Sequence, residues 1–260
     1  MTEQTPQLLG GDDPEPVRVL RPEGTSDFLL TADHAGRLIP QSLGDLGVSA
    51  SELQRHIAWD IGIAATTELL SQHLDAPAVL QVYSRLVIDC NRDPSWPSAV
   101  PVISEHTPIS GNQRLSASQR DARRREIFAP YHNRIDALLR DRMERPTVLV
   151  AMHSFTPVYK GVARAVEVGV LYNPNDRDTR LPHIMLELLR AEGDVAVGDN
   201  EPYSITDASD YTVPVHGEAK GVPHVEIEIR QDLIAEPAGQ AAWAARLARL
   251  LPRADAALSR

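Results

Sequence analysis

Apolar positions along the chain fall into short runs that alternate with stretches of helical spacing. Residues 27–32 (DFLLTA) form a compact apolar run, which predicts a strand. Residues 51–74 carry apolar side chains three and four apart behind Ser51 as an N-cap, which predicts a helix. Residues 78–90 (AVLQVYSRLVIDC) hold two β-rich runs split by Ser84 and Arg85, with Cys90 expected as buried filler inside the second. Pro, Ser and Gly dominate residues 93–115, a long loop of the kind that forms lids or binding surfaces. An amphipathic helix is expected over 116–142, apolar strands over 147–152 (TVLVAM) and 166–172, and a helix over 176–193. A short strand over 195–197 and a second polar loop over 198–220 lead to a last strand, 224–229 (HVEIEI), and a closing helix, 241–251.

Strands that alternate with helices, several of them apolar throughout, predict one α/β domain. Its central sheet should be mixed, mostly parallel and flanked by helices. Ligand sites in such sheets lie beyond the carboxyl ends of the strands. His34, His153 and Arg230 each follow an apolar run. Residues 1–24 read as a polar, Pro-containing leader, partly disordered or draped on the surface, and residues 25–260 as the folded domain.

Composition narrows the classes. At 260 residues and 42% hydrophobic content the chain can bury one large core. A net charge of -10, spread along the sequence, excludes the basic face that nucleic acid requires. No apolar run approaches the roughly 18 residues of a membrane helix, so no membrane partner is expected. The first residues lack a basic and then apolar leader, and the single cysteine excludes a disulfide framework, which together suggest a cytoplasmic protein. Arg123, Arg124 and Arg125 are expected on a solvated helix face. Oligomeric state leaves no mark in the sequence.

The chemistry concentrates at strand ends. His34 (LLTADHAG) and His153 (VLVAMHSF) each close an apolar run and precede a turn, as metal-ligating histidines do. A histidine there can also simply cap a loop. Asp60 (RHIAWDIG) stands among apolar neighbours, and a buried carboxylate needs a metal or cationic partner. His56 precedes it by four residues, so the pair would share one helix face, either as rival ligands or as a plain His–Asp pair. Asp33 is a further candidate, as ligand or as the group that orients His34. In VEIEI, Glu226 and Glu228 share one face, where one of them could serve as a general base; the plain alternative is a solvent-facing edge strand. Arg85, Asn91 and Arg92 (SRLVIDCNRD) could bind a substrate carboxylate or an oxyanion, or Arg92 could simply pair with Asp89 or Asp93. Asn200, Tyr203 and Tyr211 lie in the second polar loop, where they could contact substrate or serve loop packing.

Laid out in order, DHAGRLIP, HIAWDIG, SRLVIDCNR, SGN, PYHNRI, HSFTPV, VGDNEPYS and EIRQDL resemble the N-formylglutamate amidohydrolase family over about residues 29–251. The resemblance implies a zinc carboxypeptidase-like fold, of the phosphorylase/hydrolase-like kind, and hydrolysis of an N-formyl or other small N-acyl amino acid such as N-formyl-L-glutamate. It points to Asn91 and Arg92 of DCNR as the carboxylate clamp and to Glu228 of EIRQD as the base. Carboxypeptidases place a glutamate ligand three residues after the first histidine, where this chain has Arg37. The ligand set for Zn²⁺ is therefore taken as His34, Asp60 and His153, with Arg85 beside the oxyanion and Asn200, Tyr203 and Tyr211 at the substrate. Fe²⁺, Co²⁺ and Mn²⁺ accept the same donors. A carboxypeptidase or a deacylase of longer acyl chains is the neighbouring alternative, and a non-catalytic binding protein the alternative of another class. Three Phe and three Trp favour a small, polar substrate.

Overall fold

Side-chain alternation sorts each central strand between two faces of one sheet. The computed structural model describes residues 7–176, 178–206 and 210–258. Residues 1–6 of the expected leader, 177 at the start of the expected third helix, and 207–209 of the second loop lie outside the described residues. The sheet is built from β1 (Val17–Leu20), β2 (Phe28–Ala32), β3 (Ala78–Gln81), β4 (Val148–Phe155), β5 (Val168–Leu171), β6 (Val197–Asp199) and β7 (His224–Arg230). Its strand order is β1-β3-β2-β4-β7-β5-β6. The four strands β3, β2, β4 and β7 run parallel, while β1 and the β5–β6 pair run against them. The fold is thus a single α/β domain with a mixed, mostly parallel sheet.

One face is apolar along its length. Phe28, Leu30, Val150, Met152, Ile227 and Ile229 pack there against α1 (Ile63–Leu74), α4 and α5. Here α4 is Arg180–Glu192 and α5 is Pro237–Leu258. On the other face, Leu29, Val79 and Leu149 meet α3 (Ala129–Asp141) and the segments around Leu46 and Leu86. Toward the carboxyl ends of β2, β4 and β7 this second face turns polar, because Thr31, His153, Glu226 and Glu228 take the positions where alternation points away from the helical layer. All four are buried.

Several local expectations change. Val17–Leu20, inside the expected leader, is an edge strand paired antiparallel with β3. Residues 51–74 are not one helix. Ser51 makes no side-chain cap, and the helix starts only at Ile63, after Gly62 at φ 82°. That left-handed turn suits glycine, and a Cβ there would lie 2.1 Å from the Ile234 carbonyl oxygen. His56 and Asp60 therefore sit in a loop rather than on one helix face. The second run of residues 78–90 is also not a strand: Val87 N–H bonds Ser84 O at 2.9 Å and turns the chain. Cys90 is buried as expected, its sulfur 3.1 Å from Gln81 Nε2. Residues 117–141 are helical throughout, as α2 (Ala117–Arg123), a π-helical turn (Arg124–Phe128) and α3, opened by a Ser116–Gln119 capping box. Within the second loop, Val213–Gly217 and Glu218–Lys220 are helical turns. No described helix is long and apolar enough to cross a membrane.

Candidate active site

Three neighbouring parallel strands deliver the chemistry to one place. His153 and Glu228 are register partners on β4 and β7, so their side chains leave the same face side by side. Asp33 and His34 follow directly on β2. Asp60 arrives from the loop before α1, its backbone N–H bonded to His34 O at 2.9 Å. His34, Asp60, His153 and Glu228 line one cavity of about 760 Å³.

The two imidazoles are held in matching ways. His34 Nε2 lies 2.7 Å from Asp89 Oδ1, and His153 Nε2 lies 3.2 Å from Asp33 Oδ2. Each ring is thereby fixed with Nδ1 toward the Asp60 carboxylate, at 3.6 Å from Oδ2 for His34 and 3.1 Å for His153. A donor atom from each of His34, Asp60 and His153 lies within 4.8 Å of the others. His34 Nδ1 is buried and makes no hydrogen bond. Two imidazole nitrogens and a carboxylate oxygen around such a point fit a zinc-type ion, and imidazoles backed by carboxylates are the usual support of such ligands. Asp33, expected beside His34, in fact orients His153. It is fixed in turn by Thr212 Oγ1, which donates to Asp33 Oδ1 at 2.8 Å.

Charge in the cluster is lopsided. Asp33, Asp60, Asp89, Glu226 and Glu228 face the cations Arg85 and Arg92 and the two imidazoles. Burial alone would lower the His153 imidazole, but Glu226, Asp33 and Asp60 raise it well above its ordinary value. Burial works against ionised Asp33, yet its hydrogen bond to His153 holds it down at about 2. Asp89 is held well below the usual range because Arg85 and His34 outweigh its burial. Glu226 and Glu228 go the other way. Burial pushes Glu226 well above the carboxylate range and Glu228 up to about 7. Neither has a hydrogen bond to its Oε2. A carboxyl near 7 in a cavity wall can exchange a proton at neutral pH.

Residues 26–235 match the sequence model of the N-formylglutamate amidohydrolase family. The chain belongs to that family. It is accordingly a hydrolase of amides, an amidohydrolase acting on N-acyl amino acids, with a small-molecule substrate. A gene product of Agrobacterium tumefaciens whose structure is solved is 40% identical, with a TM-score of 0.93 over 98% of this chain and 100% of that one. N-formylglutamate amidohydrolase from Ralstonia eutropha shares the fold at 19% identity and TM-score 0.70, over 93% of this chain and 97% of that one. None of the curated proteins matches the chain in sequence.

The remaining expected residues of this amidohydrolase divide. Arg85 reaches the cluster: Nη2 donates to Asp89 Oδ2 at 2.7 Å, and Nη1 is 3.6 Å from Asp60 Oδ1. Arg92 lines the cavity with Nε 3.5 Å from Asp89 Oδ2. Asn91 also lines it, but its amide is committed. Oδ1 accepts from Tyr211 N–H at 3.0 Å and Thr212 N–H at 2.9 Å, and Nδ2 donates to Asp210 Oδ1 at 3.2 Å. Asn91 thus holds the loop, and the guanidinium of Arg92 is what faces the cavity. Tyr203 lines the cavity, where its hydroxyl accepts from Arg164 Nη1 at 2.8 Å. Asn200 and Tyr211 stand apart. Asn200 Oδ1 accepts from Tyr172 N–H at 2.9 Å at the end of β6, and Tyr211 packs on Phe128 and His132. His56 lines the cavity wall 3.7 Å from Glu105 and is not among the clustered donors.

Three supports have no place in the sequence reading or the wrong one. Asp89 enters that reading only as a partner for Arg92, yet it joins His34, Arg85 and Arg92. Its signal was position: it ends the run RLVID much as His34 ends LLTADH. Arg123, expected in solvent, is 1% exposed. It donates to Val87 O at 2.8 Å and Asn112 Oδ1 at 2.7 Å, and Asn112 donates to Leu86 O at 2.8 Å, which fixes the segment that carries Arg85 to Arg92. Burial lowers the Arg123 guanidinium to about 10. Arg124 and Arg125 pair with Asp121 at the surface, as expected. Glu105 ties three segments at the cavity mouth: it bonds Arg55, accepts from Lys160 N–H at 3.1 Å and faces His56.

Proposed function

We propose that the chain is a zinc-dependent enzyme that removes a formyl or other small acyl group from an amino acid such as N-formyl-L-glutamate. The observation that carries this reading is the pair of histidines whose Nε2 atoms are held by Asp89 and Asp33 while their Nδ1 atoms face Asp60. His34, Asp60 and His153 would hold the ion, with Fe²⁺, Co²⁺ or Mn²⁺ able to take the same donors. When bound, the ion supplies Lewis-acid polarisation of the acyl carbonyl and of water.

The chain's own residues supply the rest. Glu228 takes a proton from the attacking water on its carboxylate and returns it to the departing amine nitrogen. Arg85, clamped by Asp89, presents fixed positive charge to the oxygen that becomes anionic as the carbonyl is attacked. Arg92 pairs with the carboxylate of the amino-acid portion. Tyr203 accepts from Arg164 and keeps its own hydroxyl proton to donate toward the substrate. Asn91 shapes the wall by holding residues 210–212. A single buried cysteine accords with work in a reducing cytoplasm.

A longer N-acyl amino acid is the second reading. It is favoured by the cavity volume of about 760 Å³ and by the exposed apolar side chains Val102, Ile103, Tyr159 and Tyr203 at or beside the cavity, more room than a formyl group uses. The test is a substrate screen with the zinc-loaded enzyme, using N-formyl, N-acetyl and longer N-acyl derivatives of glutamate, aspartate and neutral amino acids. Formate release from N-formyl acidic amino acids is expected to be fastest. Faster release of long acyl chains would favour the second reading, and no turnover of any member by metal-replete protein would overturn both.

A further inference from the structure

The amino end of β7, opposite the end that carries Glu228, holds a second convergence of donor groups. Here His224 begins β7, Asp176 follows β5, and Glu218 lies in the helical turn Glu218–Lys220. A donor atom from each lies within 4.8 Å of the others. His224 is 3% exposed, and its Nε2 makes no hydrogen bond although Asp176 Oδ2 is 3.2 Å away. Its Nδ1 lies 2.9 Å from the carbonyl oxygen of Val222, so Nδ1 donates there and Nε2 is the nitrogen turned toward the two carboxylates.

Local sequence builds this position. Gly217 lies against the imidazole, where a Cβ would come within 2.7 Å of the ring, so only glycine lets the ring sit there. Asn173 Nδ2 donates to Glu218 Oε2 at 3.2 Å and sets that carboxylate toward the cluster. One imidazole nitrogen and two carboxylate groups are the kind of nitrogen and oxygen donors that borderline divalent cations take.

We propose that His224, Asp176 and Glu218 form a second divalent-cation site, structural in role and separate from the cluster at His34. Binding would join the segment after β5, the helical turns of residues 213–220 and the start of β7. Thr212, immediately before those turns, donates to Asp33 behind His153, so the ion would brace the far end of a segment whose near end already has its own anchor at the active site.

Zn²⁺ titration of chelator-treated, full-length protein by calorimetry tests this, with hydrogen exchange over residues 213–224 as a second readout. Wild type is expected to take up two equivalents, His34→Ala one, and Asp176→Asn one. The remaining equivalent of Asp176→Asn should support hydrolysis within about twofold of wild type. Any residual second-site affinity in Asp176→Asn should be weaker by more than about tenfold. Zinc should slow exchange over residues 213–224 in wild type and in His34→Ala, but not in Asp176→Asn. His224 is buried, so His224→Gln is informative only if circular dichroism shows it folded; Asp176→Asn keeps the shape of a side chain that is 8% exposed, and with the same check on its fold it decides the matter. Fewer than two equivalents in wild type, or undiminished uptake by Asp176→Asn, would overturn the proposal.

Discussion

Ile227 and Glu228 are neighbours on one strand, at 0% and 6% exposure, and they lie in opposite kinds of interior. Ile227 lies between its register partners Met152 and Val170 in the apolar cluster that also takes in α4 and α5, where aliphatic side chains need no polar partner. Glu228 shares its face with Glu226 and His153, where burial has raised carboxyl groups and left polar atoms without hydrogen bonds. Depth is equal and chemistry is not. The first interior stabilises the fold, and the second is maintained at the expense of stability and kept ready for a cation and a substrate.

Substitution should separate the two faces. The largest effect is expected from Glu228→Gln, which should lower kcat by about 10²- to 10⁴-fold while zinc uptake persists. A variant at normal rate would remove Glu228 as the base. The same substitution should act the other way on stability of the metal-free protein. The folded chain holds the Glu228 proton up to about 7, above the ordinary value of 4.5, so ionisation favours the unfolded state as pH rises through that window. Thermal melts should therefore show Glu228→Gln above wild type at pH 8 and level with it at pH 4; equal melting at both would mean that Glu228 carries no burial strain.

Ile227→Ala should do the reverse, costing about 2–5 kcal/mol in denaturant unfolding with kcat per folded molecule little changed. A large fall in kcat would show that the two faces are mechanically coupled. Of the three substitutions the mildest is Asp89→Asn, expected to weaken zinc binding by about ten- to a hundredfold through loss of the charge behind His34. Unchanged affinity in that variant would separate the Asp89 support from metal binding.

Much of this division was readable in the sequence. His34, His153 and Glu228 stood out because apolar runs carry them to strand ends, and strand ends in parallel sheets meet at one place. The alternation VEIEI gave both faces of β7 correctly, although β7 lies inside the sheet rather than at an edge. Asp60 reached the cluster by a different route from the expected one. Its apolar neighbours suggested a helix, whereas the left-handed turn at Gly62 makes a loop, a tertiary choice set by contact with Ile234. Asn91, Asn200 and Tyr211 could not be sorted by residue type, since an amide that binds a ligand and one that binds a neighbouring backbone look alike in sequence. Arg123 was misplaced for a similar reason: its acceptors, Val87 O and Asn112 Oδ1, come from distant segments that helical spacing does not register.

The carboxylate of Glu105 joins two stretches of chain, at Arg55 and at Lys160, that each lie about fifty residues from it in sequence. Loops on a shared anchor do not vary independently: a change at this one codon loosens the whole doorway at once, while changes in the loop tips alter its lining and leave its frame in place. For selection, or for anyone redesigning the enzyme, the width of the opening and the character of its walls are separate inheritances.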